Sequence, residues 1–155
     1  MPSTISILNS LKSDYPQFTF ELGDDFHWFS PTNTIYYENS SDDQYAFLFH
    51  ELSHALLGHT NYSKDIELVS MERQAWELAI KIAQKYGFSI SDEIIQQNLD
   101  SYRDWMHARS TCPGCGATGL QVSKSAYKCP SCNQKWTVND ARTRALRRYS
   151  KKTTN

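Results

Sequence analysis

A chain of 155 residues is long enough for one ordinary domain with a small appendage and too short for several. Met1 to Lys12 has no basic start leading into a long apolar run, and nowhere does the chain approach the roughly 18 apolar residues of a membrane helix; a soluble, cytoplasmic protein with no membrane partner is expected. The 16 Lys and Arg against 17 Asp and Glu conceal a division, because residues 1–110 hold 7 basic against 16 acidic side chains, a net of −9, and residues 111–155 hold 9 against 1, a net of +8.

In chain order, Ser3 or Thr4 can cap a short helix carrying Ile5, Leu8 and Leu11 toward a core. Residues 17–37 change to short alternating runs, Phe18 and Phe20, then Phe26, Trp28 and Phe29, then Ile35, Tyr36 and Tyr37, with Pro31-Thr32-Asn33 as a turn. This pattern predicts a small antiparallel sheet, with Thr34 to Tyr37 as an edge strand able to hold an extended peptide through its backbone. Asn39, Ser40, Ser41, Asp42 and Asp43 form a polar break suited to a helix start.

The helix that follows contains His50-Glu51-Leu52-Ser53-His54. Residues four apart lie on one helix face, so both imidazoles can reach a single metal ion while Glu51 stands beside them. Zinc held by two His and one further ligand keeps a position open for water, lowers that water's pKa to about 7, and lets an adjacent carboxylate take its proton. The blander reading is two ordinary helical histidines. Against it, Leu48, Leu52, Ala55 and Leu56 follow the spacing of a buried stripe, and His50, Glu51, His54 and Gly58 fall on another side.

A helix from about Lys64 to Tyr86 offers Glu67, Glu72 and Glu77 as a third ligand. Glu72 shares its stripe with Leu68, Ala75, Ala79 and Ile82, and a metal ion is the usual way to offset the burial of such a carboxylate. Glu77 aligns with Ser70, Arg73, Lys81 and Gln84, a solvated face, and Glu67 is intermediate. Glu72 is the expected third ligand.

With these residues in place, His50 to His59 followed by Glu72-Arg73-Gln74-Ala75 resembles the ImmA/IrrE family of zinc metallopeptidases over roughly residues 30–85. Gln74 stands where a second Glu is more usual in that family. The resemblance implies an α+β, zincin-like metallopeptidase domain over residues 1–109, gluzincin-like in its ligands, cleaving a protein substrate such as a transcriptional repressor. Metzincins fit less well, because Thr60 occupies the place of their third His. A weaker resemblance joins the chain to SprT-like DNA-associated proteases, which normally take a third His; between His59 and His107 there is none.

Gly87 is placed to end the second helix, and Ser91 caps a third carrying Ile94, Ile95, Leu99, Tyr102, Trp105 and Met106. Tyr62, Arg73, Tyr102, Arg103 and His107 are open candidates for stabilising an oxyanion.

From Ser110 the character changes. Cys112-Pro113-Gly114-Cys115 and Cys129-Pro130-Ser131-Cys132, with 13 residues between the pairs, match a four-thiolate structural zinc site, predicting a zinc ribbon over residues 110–140. Disulfides are the alternative and are rare inside cells. Leu120, Val122, Tyr127, Trp136 and Val138 are expected to fill its strands, and residues 141–155 to form a basic C-terminal helix or tail. Arg142, Arg144, Arg147 and Arg148 can contact nucleic acid or a partner protein. Two Zn2+ ions are therefore expected, one catalytic at His50, His54 and Glu72 with Glu51 as base, and one structural at Cys112, Cys115, Cys129 and Cys132. A non-catalytic DNA-binding or adaptor protein working through its ribbon remains the rival reading.

Overall fold

The short apolar runs before the polar break become three strands whose order follows from which of them is buried. In the computed structural model, which describes residues 4–39, 44–141 and 146–150, β1 (Thr19–Leu22), β2 (His27–Phe29) and β3 (Thr34–Tyr37) form a sheet in the order β1-β3-β2. A turn at Ser30–Thr32, closed by Asn33 in the left-handed region (φ 50°), joins β2 and β3 as a hairpin. β1 pairs with β3 in parallel. The sheet is thus mixed rather than antiparallel, and Thr34 to Tyr37 is its central strand, not an edge. Thr34 and Ile35 are both buried, and a buried strand needs partners on both sides for its backbone groups.

The chain divides into two compact units, Met1–Thr60 with Met71–Ile95, and Asn61–Ser70 with Gln96–Asn155. The first holds the three-stranded sheet. Helix α1 (Thr4–Asp14) buries Ile7 and Leu11; Leu8 is half-buried, and the capping residue Ser3 and the side chains of Thr4 and Ile5 lie outside the described residues. Helix α2 (Gln44–Leu57) packs on β2 and β3 through a core that includes Leu48, Phe49, Leu52 and Ala55, whereas Leu56 is exposed. Helix α3 (Asp65–Lys85) contributes Ala75, Trp76, Ala79, Ile82 and Ala83 to the same unit. The Tyr86 hydroxyl donates to Asp14 at 2.5 Å, fastening the end of α3 to the end of α1.

α2 stops because Gly58 takes φ 68°, a conformation in which a side chain is strained. The Gly58 N–H then donates to Ala55 O (3.2 Å) and the His59 N–H to His54 O (3.0 Å), satisfying end carbonyls of the helix. The reversal brings His59 back beside His54.

The second unit contains the start of α3, α4 (Asp92–Ser110) from Gln96 onward, and an antiparallel sheet ordered β4 (Leu120–Ser123), β5 (Ala126–Lys128), β6 (Lys135–Val138) and β7 (Arg148–Ser150). The expected boundary between residues 109 and 110 falls inside this unit. Tyr127, Trp136 and Val138 form its core with Cys112 and Cys129. Leu120 and Val122 do not join them; at 62% and 58% exposure they lie on the edge strand. Gly119 is required by close approach, since a Cβ there would fall 2.2 Å from the Trp136 ring. Where a basic helix was expected, residues 148–150 are strand β7, and residues 142–145 lie outside the described residues.

One buried ion pair organises this unit. Arg109 Nε donates to Asp65 Oδ2 (3.0 Å) and to the Tyr127 hydroxyl (3.2 Å), and its two terminal nitrogens donate to Asn139 O (3.0 Å) and Lys124 O (2.8 Å). The Tyr127 hydroxyl also donates to Asp65, and Gln121 Nε2 reaches the other Asp65 oxygen at 3.1 Å. Every charged atom is therefore paired, which is the condition under which a buried ion pair is tolerated. Arg109→Met keeps the apolar stem but strands the Asp65 carboxylate. It is expected to destabilise this unit by about 3–5 kcal/mol in urea unfolding followed at Trp136; a loss below about 1 kcal/mol would show that the network is dispensable.

Candidate metal centres

α2 carries His50 and His54 one turn apart, and both are buried, as is Glu72 on α3. Glu72 is where the two helices bring polar groups together. His50 Nε2 lies 2.8 Å from Glu72 Oε2, His54 Nε2 lies 3.1 Å from Glu72 Oε1, and the two Nε2 atoms are 3.1 Å apart. Tetrahedral coordination at about 2.0–2.2 Å separates neighbouring ligand atoms by about 3.3 Å, so these three side chains could hold one zinc-sized ion with little adjustment. The donor set, two imidazoles and a carboxylate, also suits that ion. Glu51 lies beside the pair, within 4.8 Å of both histidines' ligand atoms.

Burial and charge divide the titrations. Burial is the largest influence on Glu51 and lifts its carboxyl to about 7, with Glu72 and Asp25 adding repulsion, while His54 and the backbone N–H of Trp28 in β2 work the other way. Glu72 is driven far below the usual carboxylate range: burial opposes ionisation, but the bonds and charge of His50 and His54 outweigh it. Burial lowers His50, whereas His54, also penalised by burial, is raised on balance by Glu72 and Glu51. The His50 ring stacks on Trp76 at 4.1 Å, and its Nδ1 is buried with no hydrogen-bond partner among the described residues.

The sequence places His59 one residue early and on the wrong side for a third ligand and shows Gln74 only in place of a Glu; the structure brings the two together beside His54. His59 Nδ1 is 3.0 Å from His54 Nδ1, and His59 Nε2 is 3.2 Å from Gln74 Oε1. Gly58, a helix-ending residue directly after the motif helix, was the available signal.

The other candidates have other partners. Glu67 is exposed and accepts from Ser63 N–H (3.0 Å) and its hydroxyl (3.1 Å). Glu77 is exposed and paired with Arg73 at 2.7 Å. In the second unit, Tyr102 is buried with Leu68 and Trp105, Arg103 bonds Asp100 at 2.8 Å, Lys124 sits over the Tyr62 ring at 4.8 Å, and His107 is exposed. Arg142 and Arg144 lie outside the described residues. Arg147 and Arg148 are exposed; Arg147 N–H donates to Asn139 Oδ1 (3.0 Å), and the Arg148 side chain donates to Thr111 O.

The four cysteines converge, with all sulfurs within 4.8 Å of one another. Cys112 Sγ is 3.6 Å from Cys132 Sγ, and Cys115 Sγ is 3.5 Å from Cys129 Sγ, too far for disulfides and near the roughly 3.8 Å edge of a zinc tetrathiolate. The two knuckles repeat one backbone pattern. Gly116 N–H donates to Cys112 O and Asn133 N–H to Cys129 O, both at 3.0 Å, with Gly116 and Asn133 at φ 76° and 64°. Backbone N–H groups of Cys132 and Ser131 lower Cys129; those of Cys115 and Gly114 outweigh desolvation at Cys112 and bring it to about 7. These donors favour thiolates at Cys112 and Cys129, the form a metal binds, whereas at Cys132 the Gln134 backbone N–H is outweighed by desolvation and the neighbouring sulfurs, which raise it to about 11.

No known protein family, curated protein or solved structure matches this chain. The chemistry therefore rests on the side chains themselves.

Cys129→Ser removes one sulfur from a cluster built around Trp136, whose indole N–H donates to Arg109 O at 2.9 Å. Hydrogen exchange at that indole is expected to quicken at least 100-fold on this substitution, because a metal held by the four sulfurs would supply much of the folding energy of so small a sheet. Unchanged exchange would mean that the ribbon folds without it.

Proposed function

We propose that this chain is a zinc-dependent endopeptidase of the ImmA/IrrE-like type, acting on a regulatory protein such as a transcriptional repressor. The observation that carries the reading is the convergence of His50, His54 and Glu72, at 2.8–3.1 Å, beside a half-buried Glu51. The resemblance of His50 to His59 and Glu72 to Ala75 to that family supports the same ligand set, as does the helical placement of the motif.

Zinc, when bound, would polarise the scissile carbonyl and make an attacking water acidic. Glu51 would accept that water's proton and hand it to the leaving amine. Its place within 4.8 Å of both imidazoles suits both steps, since a carboxylate there can reach a water held between them. The open edge nearest Glu51 is β2 rather than Thr34 to Tyr37, since the Trp28 N–H is turned toward the Glu51 carboxylate. An extended substrate would add to β2 through backbone hydrogen bonds. The four-thiolate site has no open position and would serve the ribbon's fold.

A second reading makes the ribbon the working part, either as the DNA-holding half of a SprT-like protease or as a non-catalytic DNA-binding or adaptor module. It is favoured by Lys128 and Lys135, directly opposite one another on the exposed face of the β5–β6 pair, a like-charge placement that costs stability unless an anion covers it. Thr137 and the half-exposed Tyr149 share that face. Lys128→Glu/Lys135→Glu is expected to abolish salt-sensitive binding of a fluorescent single-stranded oligonucleotide; equal binding by the wild type and this variant removes the reading.

The peptidase reading is tested with the zinc-loaded chain and a random-peptide library scored by mass spectrometry. Glu51→Gln is expected to lower cleavage by about 10²–10⁴-fold while both metals stay bound. Cleavage retained in this variant would exclude Glu51 as the base.

A further inference from the structure

We propose that His59 and Gln74 act as a positioning relay that fixes His54 with its proton on Nδ1 and its lone pair on Nε2. The inference deepens the zinc-site reading and rests on it. Neither residue touches the reacting atoms, and both act through His54.

The polarity follows from chemistry already in the geometry. Gln74 Oε1 can only accept, so the His59 nitrogen facing it at 3.2 Å, Nε2, carries the proton. A neutral His59 then has a lone pair on Nδ1. That lone pair faces His54 Nδ1 at 3.0 Å, so the proton between them belongs to His54. With Nδ1 holding the relay's proton, Nε2 is the His54 nitrogen available for ligation; it is the atom 3.1 Å from Glu72 Oε1 and 3.1 Å from His50 Nε2, and the proton it lends Glu72 in the ion-free chain is the one a metal would displace. The relay thus selects the one tautomer in which His54 can ligate. It also shows why His59 is not a further ligand: it meets the nitrogen of His54 that faces away from Glu72.

The relay has a local sequence cause. Gly58 at φ 68° reverses the chain, and the His59 N–H to His54 O bond at 3.0 Å fixes where the His59 ring begins. Gln74 lies two residues beyond Glu72, so one segment of α3 supplies both the expected ligand and the terminus of the relay. His50 has no counterpart, because its Nδ1 is buried without a hydrogen-bond partner among the described residues. Support of the ligand pair is therefore one-sided, and the site should depend on His59 more than a site with two supported histidines would. The opposite polarity, with the Gln74 amide reversed, would place the proton on His54 Nε2 and block ligation.

The test uses the full chain. Zinc affinity at the two sites is measured by chelator competition in the wild type, His59→Ala, His59→Gln, Gln74→Leu and Gln74→Glu. Histidine tautomers are read in the zinc-loaded protein from long-range 1H–15N spectra. His59→Ala is expected to weaken the histidine site about 10–100-fold and leave the cysteine site unchanged. His59→Gln, whose amide oxygen can accept the same proton, should recover most of the loss, which a purely steric role would not. Gln74→Leu should weaken the site by a smaller factor and Gln74→Glu should stay close to wild type. The spectra should show His54 protonated on Nδ1 and His59 on Nε2. A second zinc bound with equal affinity by His59→Ala, or His54 protonated on Nε2, overturns the relay alone. A wild-type chain that binds zinc only at its cysteines overturns the relay together with the peptidase reading.

Discussion

The Glu72 carboxylate is the constraint on which the first unit depends. It lies among apolar side chains of α3, and an ionised carboxylate there is expensive unless positive charge or donors meet it. His50 and His54 are the groups that meet it, and they can do so only if α2 presents both on one face toward α3. The Leu48, Phe49 and Leu52 contacts orient α2, Gly58 ends it immediately after the motif, and Trp76 packs flat on His50. Helix packing and site chemistry are thus one problem with one solution.

The two candidate centres differ in the donors they bring together. At the cysteines, two equivalent knuckles turn backbone N–H groups toward sulfur and bring four sulfurs within 4.8 Å of one another. At the histidines, His50, His54 and Glu72 converge at 2.8–3.1 Å, and Glu51 lies within 4.8 Å of both imidazoles. The charge division of the chain follows the same split, with the acidic side chains before Ser110 and nearly all basic excess after it.

Much of this was legible in residue spacing. The i, i+4 histidines, the burial of Glu72 rather than Glu67 or Glu77, and the paired Cys-x-x-Cys knuckles are local patterns, and local patterns survive without knowledge of partners. What stayed hidden depends on contacts distant in sequence. Strand order is one such feature: alternation marks strands but not their neighbours, and the burial of Thr34 and Ile35 in the centre is a tertiary fact. Leu120 and Val122 look like core residues until β4 is placed at an edge. The pairing of Arg109 with Asp65 spans 44 positions and leaves no periodic trace. His59 and Gln74 are 15 positions apart and polar, so hydrophobic patterning passes over them.

The most direct test of the account is the number of zinc ions per chain, measured by native mass spectrometry on the wild type, His54→Ala and Glu72→Ala. The account predicts two ions in the wild type and one in each variant, with the cysteine-bound ion remaining. One ion in all three proteins would contradict it, since His50, His54 and Glu72 would then be a buried hydrogen-bonded cluster and not a metal site.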